Sequence, residues 1–329
     1  MGIKMELDLI RHKKNNLVIQ QDFVAKFQEY NKHVEGALSD NTVRSIKADM
    51  KVYFEWCEVK GAQTILPSNP HIISSFLQDM AKVKKTATIR RYKASLSHIH
   101  KAGGEGDPTK STIVQLAMKK IARKNGSRQE QAQALGLDEL YRITPQRPTK
   151  LTDKRDRALL HVAYDTMVRR SALVELRVED LKVNDAGDGT ILVRKEKNDQ
   201  EGSGDIRYIS KNTMDYLDDY LSDAGIVDGF IFRRIGKSNN VGTNHLNSDS
   251  VSKLFKKLAI NGELSSKKIS GHSTRVGACQ NMIGAGLDVG EVMQAGGWKT
   301  PTMVARYSEH LLASQGASSK LAKIQGRTK

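Results

Sequence analysis

Gly271-His272-Ser273-Thr274-Arg275-Val276-Gly277-Ala278, then Met293-Gln294-Ala295-Gly296-Gly297-Trp298, then Arg306-Tyr307: on this stretch the reading of the chain turns. His272 and Arg275 stand three apart at the start of an expected helix, so they project from one face near its positive end. Pro301 opens another short helix, on which Val304 and Tyr307 share a face. Such a helix packs its apolar side and aims a phenol inward.

These residue types suit one chemistry. A phenol attacking a phosphodiester passes through five-coordinate phosphorus with extra charge on the non-bridging oxygens. Two fork-shaped, always-charged guanidiniums match that charge better than lysine does. A preorganised donor of this kind is worth about a hundredfold or more in rate. A neighbouring histidine can shuttle the nucleophile's proton. An indole N–H can donate to the same oxygens, and a lysine can protonate the leaving 5′-oxygen. Taken singly, each residue has a plainer use: Tyr307 as a core tyrosine, His272 bonding backbone, Trp298 packing beyond a helix C-cap. Only their order and spacing together favour chemistry.

The set resembles a known family. His272-x-x-Arg275, Trp298 and Tyr307 nine residues later are similar to the signature of the tyrosine site-specific recombinases, the phage integrase family, and within it the Cre-like recombinases. The likeness extends upstream to Ala163-Tyr-Asp-Thr-Met-Val-Arg169 followed by Leu176-Arg-Val-Glu-Asp-Leu181, which resembles the segment holding the family's first arginine. It implies that role for Arg169, with Arg170 as the alternative, and the family's lysine at Lys197 or else Lys195. One position departs: where the family places a carboxylate three residues after its first arginine, this chain has Ala172. The positioning of its neighbours is thereby put in question.

The resemblance implies a mainly helical fold with a small β-sheet or hairpin in the catalytic domain, and two domains that clamp duplex DNA like a C. It further implies a 3′-phosphotyrosine intermediate, a dimer on an inverted-repeat site, a tetramer on synapsis, and no metal, cofactor or ATP. The expected divisions are a polar tail over 1–17, a helical DNA-binding domain over 18–124, a linker over 125–133, and a catalytic domain over 134–312. The tail over 313–329, with Leu321 and Ile324 among small polar residues, is expected to dock on a neighbouring subunit.

Residue patterns upstream agree. From Ser39, a plausible N-cap, Val43, Ile46, Met50, Tyr53, Phe54 and Cys57 keep one helix face, while Arg44, Lys47 and Lys51 occupy another. Ile89, Tyr92, Leu96 and Ile99 repeat this beside Arg90 and Arg91, and Val114, Met118 and Ile121 beside Lys120 and Arg123. One such stripe is an ordinary solvated face, but three in a small domain favour DNA. Arg44 and Arg91 are the candidates for base edges, since arginine pairs well with guanine. Lys253, Lys256 and Lys257, ahead of His272, are candidate phosphate contacts. Thr190-Ile-Leu-Val-Arg-Lys and Ile206-Arg-Tyr-Ile around a Gly- and acid-containing turn predict a hairpin.

Bulk properties narrow the field. Lys and Arg outnumber Asp and Glu by 53 to 37, a formal charge of +16, which points to a polyanionic partner. Two cysteines in 329 residues make a disulfide framework improbable and the reducing cytoplasm, alongside nucleoid DNA, the expected compartment. No Cys/His pairs sit at metal-ligand spacing, and no apolar run approaches the roughly 20 residues that span a bilayer. No small-molecule substrate is implied. The rival readings are a type IB topoisomerase or telomere resolvase, a non-catalytic DNA-binding protein of the same fold, and an RNA-binding protein.

Overall fold

The computed structural model describes residues 18–19, 21–34, 37–62, 65–104, 106–196 and 203–327. The expected N-terminal tail over 1–17 and Lys197 lie outside the described residues. The chain divides into two compact units, Met1–Glu130 and Gln131–Lys329.

The first unit is helical: β1 (Val18–Ile19), α1 (Gln21–Val34), α2 (Asp40–Lys60), β2 (Ile65–Leu66), α3 (Pro70–Met80), α4 (Thr86–Ala102) and α5 (Thr112–Asn125), with β1 and β2 pairing in parallel. Ser39 caps α2 by accepting from the Thr42 amide, as its position in the sequence predicts. The expected apolar stripes bury together. Ile46, Met50, Tyr53 and Cys57 from α2 meet Ile89, Tyr92, Leu96 and Ile99 from α4, with Ile73, Phe76 and Leu77 of α3 and Val114 and Ile121 of α5. The cationic stripes are what these cores leave outside.

The second unit contains α6 (Leu137–Ile143), α7 (Leu151–Asp165), α8 (Arg170–Glu175), β3 (Leu181–Val183), β4 (Gly189–Val193), β5 (Asp205–Ile209), α9 (Lys211–Ala224), β6 (Arg233–Ile235) and β7 (Val241–His245). After them come α10 (Ser248–Asn261), α11 (Ser273–Gly284), α12 (Val289–Gly296), α13 (Thr302–Tyr307), α14 (Glu309–Gln315) and α15 (Ala317–Ile324). Helix α7 is buried on most sides, through Ala158, Leu159, Leu160, Val162 and Ala163, and α9 and α11 pack on it. Its charged first half is buried as well, with Arg155 paired to Asp156 and Arg157 to Asp219.

The predicted hairpin is there as β4–β5, in antiparallel register from Gly189 opposite Ile209 to Val193 opposite Asp205. The sequence pattern carries one β signal; the structure adds β3 along β4 and a separate β6–β7 pair. Neither is visible in the pattern, because β3 is three residues long and β7, Val-Gly-Thr-Asn-His, lacks the apolar alternation of a half-buried strand.

A separate apolar group joins Met167, Ala278, Cys279, Ile283, Val292, Trp298 and Val304, and Tyr307 leans on it. Glycine at 277 is required beside this group, because a β-carbon would overlap the Leu135 carbonyl where the start of the unit crosses α11. The crossing is fixed by hydrogen bonds that the main-chain amides of Gln133 and Leu135 donate to the carbonyls of Lys268 (3.0 Å) and Ser273 (2.9 Å).

Candidate active site

Arg275 sits in the first turn of α11 and is 2% exposed. Its Nη2 donates to the Gly296 carbonyl at 3.0 Å, and its guanidinium carbon lies 5.1 Å from the centre of the Trp298 ring. Its Nη1 is buried with no hydrogen-bond partner among the described residues. A buried, unpaired donor on a charged group is costly and calls for an acceptor. Burial, then the nearby Arg169, lowers the Arg275 pKa to about 10, which still leaves it protonated at neutral pH, while Glu196 acts the other way.

Trp298 follows the end of α12. Gly297, at φ +62°, closes the helix in the left-handed region, and its amide reaches the Gln294 carbonyl. The indole then folds back, 7% exposed, and meets the Tyr307 ring edge-on at 5.8 Å between centres. Packing beyond a C-cap and proximity to the candidate nucleophile are thus both true of Trp298.

Tyr307 ends α13 and is half-buried. Its backbone carbonyl accepts from the Gln280 amide at 2.8 Å and the Gln131 amide at 3.2 Å. Burial raises the phenol's pKa, with Arg275, Arg306 and Arg169 opposing that rise. Three guanidiniums therefore act on this hydroxyl, two of them those predicted for the site.

Arg169 is reached through a turn after α7 in which buried Met167 holds a positive φ of 51°, an uncommon state for a side chain of that size. Arg169 N-caps α8 and is held by Glu196: Nη1 to Oε2 at 2.7 Å and the main-chain amide to Oε1 at 3.1 Å. Arg170, the alternative, pairs with Asp249 at 3.0 Å on a well-exposed surface. His272 caps the start of α11 and stays exposed at the rim. Partial desolvation first, then Arg275, Arg169 and Arg170, hold its pKa below the ordinary 6.5. Lys195 is exposed and lines a cavity with Ala172, Leu176 and Val193.

The structure thus gathers Arg169, His272, Arg275, Trp298 and Tyr307 from distant parts of the unit. It also brings in residues to which the sequence motifs do not point. Glu196 is one. Arg207 is another: it is 3% exposed on the inner face of β5, where an aliphatic side chain would gain about 1.5–3 kcal/mol from burial. Instead its Nη1 caps the C-terminal end of α12 through the carbonyls of Gln294 (2.7 Å) and Ala295 (2.9 Å). A cation there satisfies the helix's orphan carbonyls and steadies the turn that delivers Trp298. The signal available in the sequence is an arginine two residues before Ile209, in the inward register of the strand.

The other candidates lie on surfaces. Arg44, Arg90, Lys120 and Arg123 are exposed on α2, α4 and α5, and Lys47 is partly so. Arg91 is exposed as well, and anchored from below. Its Nε and Nη2 are bonded to buried Asp49 at 3.1 and 2.8 Å, though the side chain stays 54% exposed. Lys253, Lys256 and Lys257 are exposed along α10. Among the described residues, no helix is long and apolar enough to cross a membrane.

A buried guanidinium with an unpaired donor near a phenol is an arrangement that suits a phosphate ester. Comparison with known proteins narrows this. Residues 133–313 match the phage integrase family, and the chain belongs to that family, the tyrosine recombinases, which are DNA strand-transfer enzymes. An integrase/recombinase xerD homolog of Selenomonas ruminantium is 29% identical over 288 residues, 84% of each chain. Recombinase cre of Escherichia phage P1 is 26% identical over 304 residues, covering 87% of this chain and 88% of that one. The crystal structure of XerH site-specific recombinase in a post-cleavage complex with palindromic difH substrate shares the fold, with a TM-score of 0.63 at 14% identity, over 84% of this chain and 80% of that one.

Proposed function

We propose that this chain cuts and rejoins duplex DNA at an inverted-repeat site through a 3′-phosphotyrosine bond on Tyr307. It works as a dimer on each site and as a tetramer when two sites synapse, in the cytoplasm on nucleoid DNA. The observation that carries the reading is the buried Nη1 of Arg275, which has no partner among the described residues, on a guanidinium whose charge acts on the Tyr307 hydroxyl. A phosphate oxygen is the acceptor such a donor suits.

The roles follow from position. Arg169 and Arg275 hold the non-bridging oxygens, and the Trp298 indole N–H adds a donor without charge. His272, held neutral by partial burial and then by its cationic neighbours, takes the phenol's proton. Tyr307 oxygen bonds to phosphorus as the bond to the 5′-oxygen breaks, and Lys197 supplies the proton that makes a free 5′-hydroxyl. A 5′-hydroxyl of the partner duplex then reverses the step. The phosphodiester's energy is conserved throughout, so no ATP is consumed. Lys120, Arg123, Lys253, Lys256 and Lys257 neutralise phosphates, while Arg44 and Arg91 reach base edges. In α15, Leu321 and Ile324 are 49% and 82% exposed, which supports docking of the tail on a neighbouring copy.

The test is an SDS-resistant protein–DNA adduct on a nicked duplex carrying a site enriched from a random pool. Wild type should form it in EDTA, and Tyr307→Phe should not. On an intact site two successive band shifts are expected, the second weakened when residues 314–329 are removed. Tight binding without any wild-type adduct would sink the recombinase mechanism and favour a DNA-binding protein.

A further inference from the structure

Glu196 is 9% exposed and gives one residue both of its oxygens: Oε2 receives the Arg169 guanidinium, Oε1 the Arg169 main-chain amide. Backbone and fork are thus fixed from a single point. The neighbouring position where the family carries an acid offers nothing polar, since Ala172 is buried and ends at its β-carbon. The charge balance points the same way. Arg169 and Arg275 are close enough to depress ionisation of the latter, and Glu196 offsets that repulsion. Two like charges at this range need a negative group to hold them together. Nor does stability account for the pair, because a buried ion pair gains little over apolar packing of the same volume.

We propose that Glu196 is a positioning residue for strand transfer, locking Arg169 in the orientation that meets the scissile phosphate in place of the carboxylate missing at 172. This rests on the reading of Arg169 and Arg275 as the phosphate-binding pair. Glu196 also directly precedes Lys197 in the chain, so the same bond ties the residue next to the proposed proton donor to the proposed phosphate binder.

The experiment is single-turnover adduct formation by full-length protein on the nicked enriched site, with affinity for that site measured at the same salt. Glu196→Ala should slow the adduct by about tenfold to a hundredfold at saturating DNA, with binding held within about threefold. Glu196→Gln, which keeps the shape and loses the charge, should lose less. The decisive arm is Arg169→Ala with and without Glu196→Ala: a residue acting through Arg169 adds no further loss once the arginine is gone. Losses that multiply would show a merely structural role and overturn the proposal, as would a Glu196→Ala rate equal to wild type. Should Glu196→Ala fail to fold, Glu196→Gln takes its place in the same cycle. A wild type that makes no Tyr307-dependent adduct brings down the underlying reading and this inference together. A normal wild-type adduct untouched at 196 brings down this inference alone.

Discussion

Arg275 and Arg123 carry the same guanidinium in opposite surroundings. The first is sealed beneath Trp298, with one nitrogen bonded to a carbonyl and another lacking a partner among the described residues. The second stands in solvent on the last turn of α5. In water a cation is already well solvated, and its attraction for a phosphate is screened over about 8 Å at physiological salt. In the second unit the solvent has been replaced by fixed groups, so the charge is oriented before any DNA arrives. On the proposed reading, exposed cations such as Arg123 set affinity, and a buried one such as Arg275 sets rate.

The sharpest attempt to break that division is Arg275→Met. Adduct formation should fall by about a hundredfold to a thousandfold, while the melting temperature should not fall, because the substitution removes a buried charge with an unmet donor. A variant that melts much earlier would mean that Arg275 is there for the fold. Acid provides the next contrast. His272 sits below its ordinary pKa in the folded chain, so it is neutral at pH 7 and gains a proton only as the pH falls beneath 6.5. Adduct rates at subsaturating DNA should decline with falling pH below that point, by up to about tenfold per unit, and His272→Gln should erase this limb. Equilibrium binding through arginines and lysines, which stay charged there, should hold steady. The smallest effect belongs to Lys120→Ala and Arg123→Ala. Each should weaken binding a few-fold and lower the slope of log K against log salt by about 0.9, with the rate at saturating DNA unchanged. A changed saturated rate would dissolve the distinction between the units.

What could be read in the sequence, and what could not, divides along physical lines. The helices of the first unit were legible because Ile46, Met50, Tyr53 and Cys57 repeat at the helical period and bury as that period demands. His272, Arg275, Trp298 and Tyr307 were legible because they lie close along the chain, on elements whose caps and turns fix their directions. Glu196 and Arg207 were not. Each acts on a partner far along the sequence, Glu196 on Arg169 and Arg207 on the end of α12, and only the closed fold makes those neighbours. Asp49 shows the same limit from the other side. One of four acids in α2, it gave no sign that it would be buried and grip Arg91.

The crossing of residues 133–137 over α11 also has a bearing on the newly made chain. The amide of Leu137 is bonded to Asn281, 144 positions away, and the tight passage at Gly277 admits nothing larger than hydrogen. Closing so long a loop is among the slower events of folding. On the ribosome, the opening residues of the unit wait for the helix that bears Arg275, and Trp298 and Tyr307 emerge later still. A polypeptide made only as far as α11 therefore lacks the groups that hold Arg275 in place, the Gly296 carbonyl and the Trp298 ring.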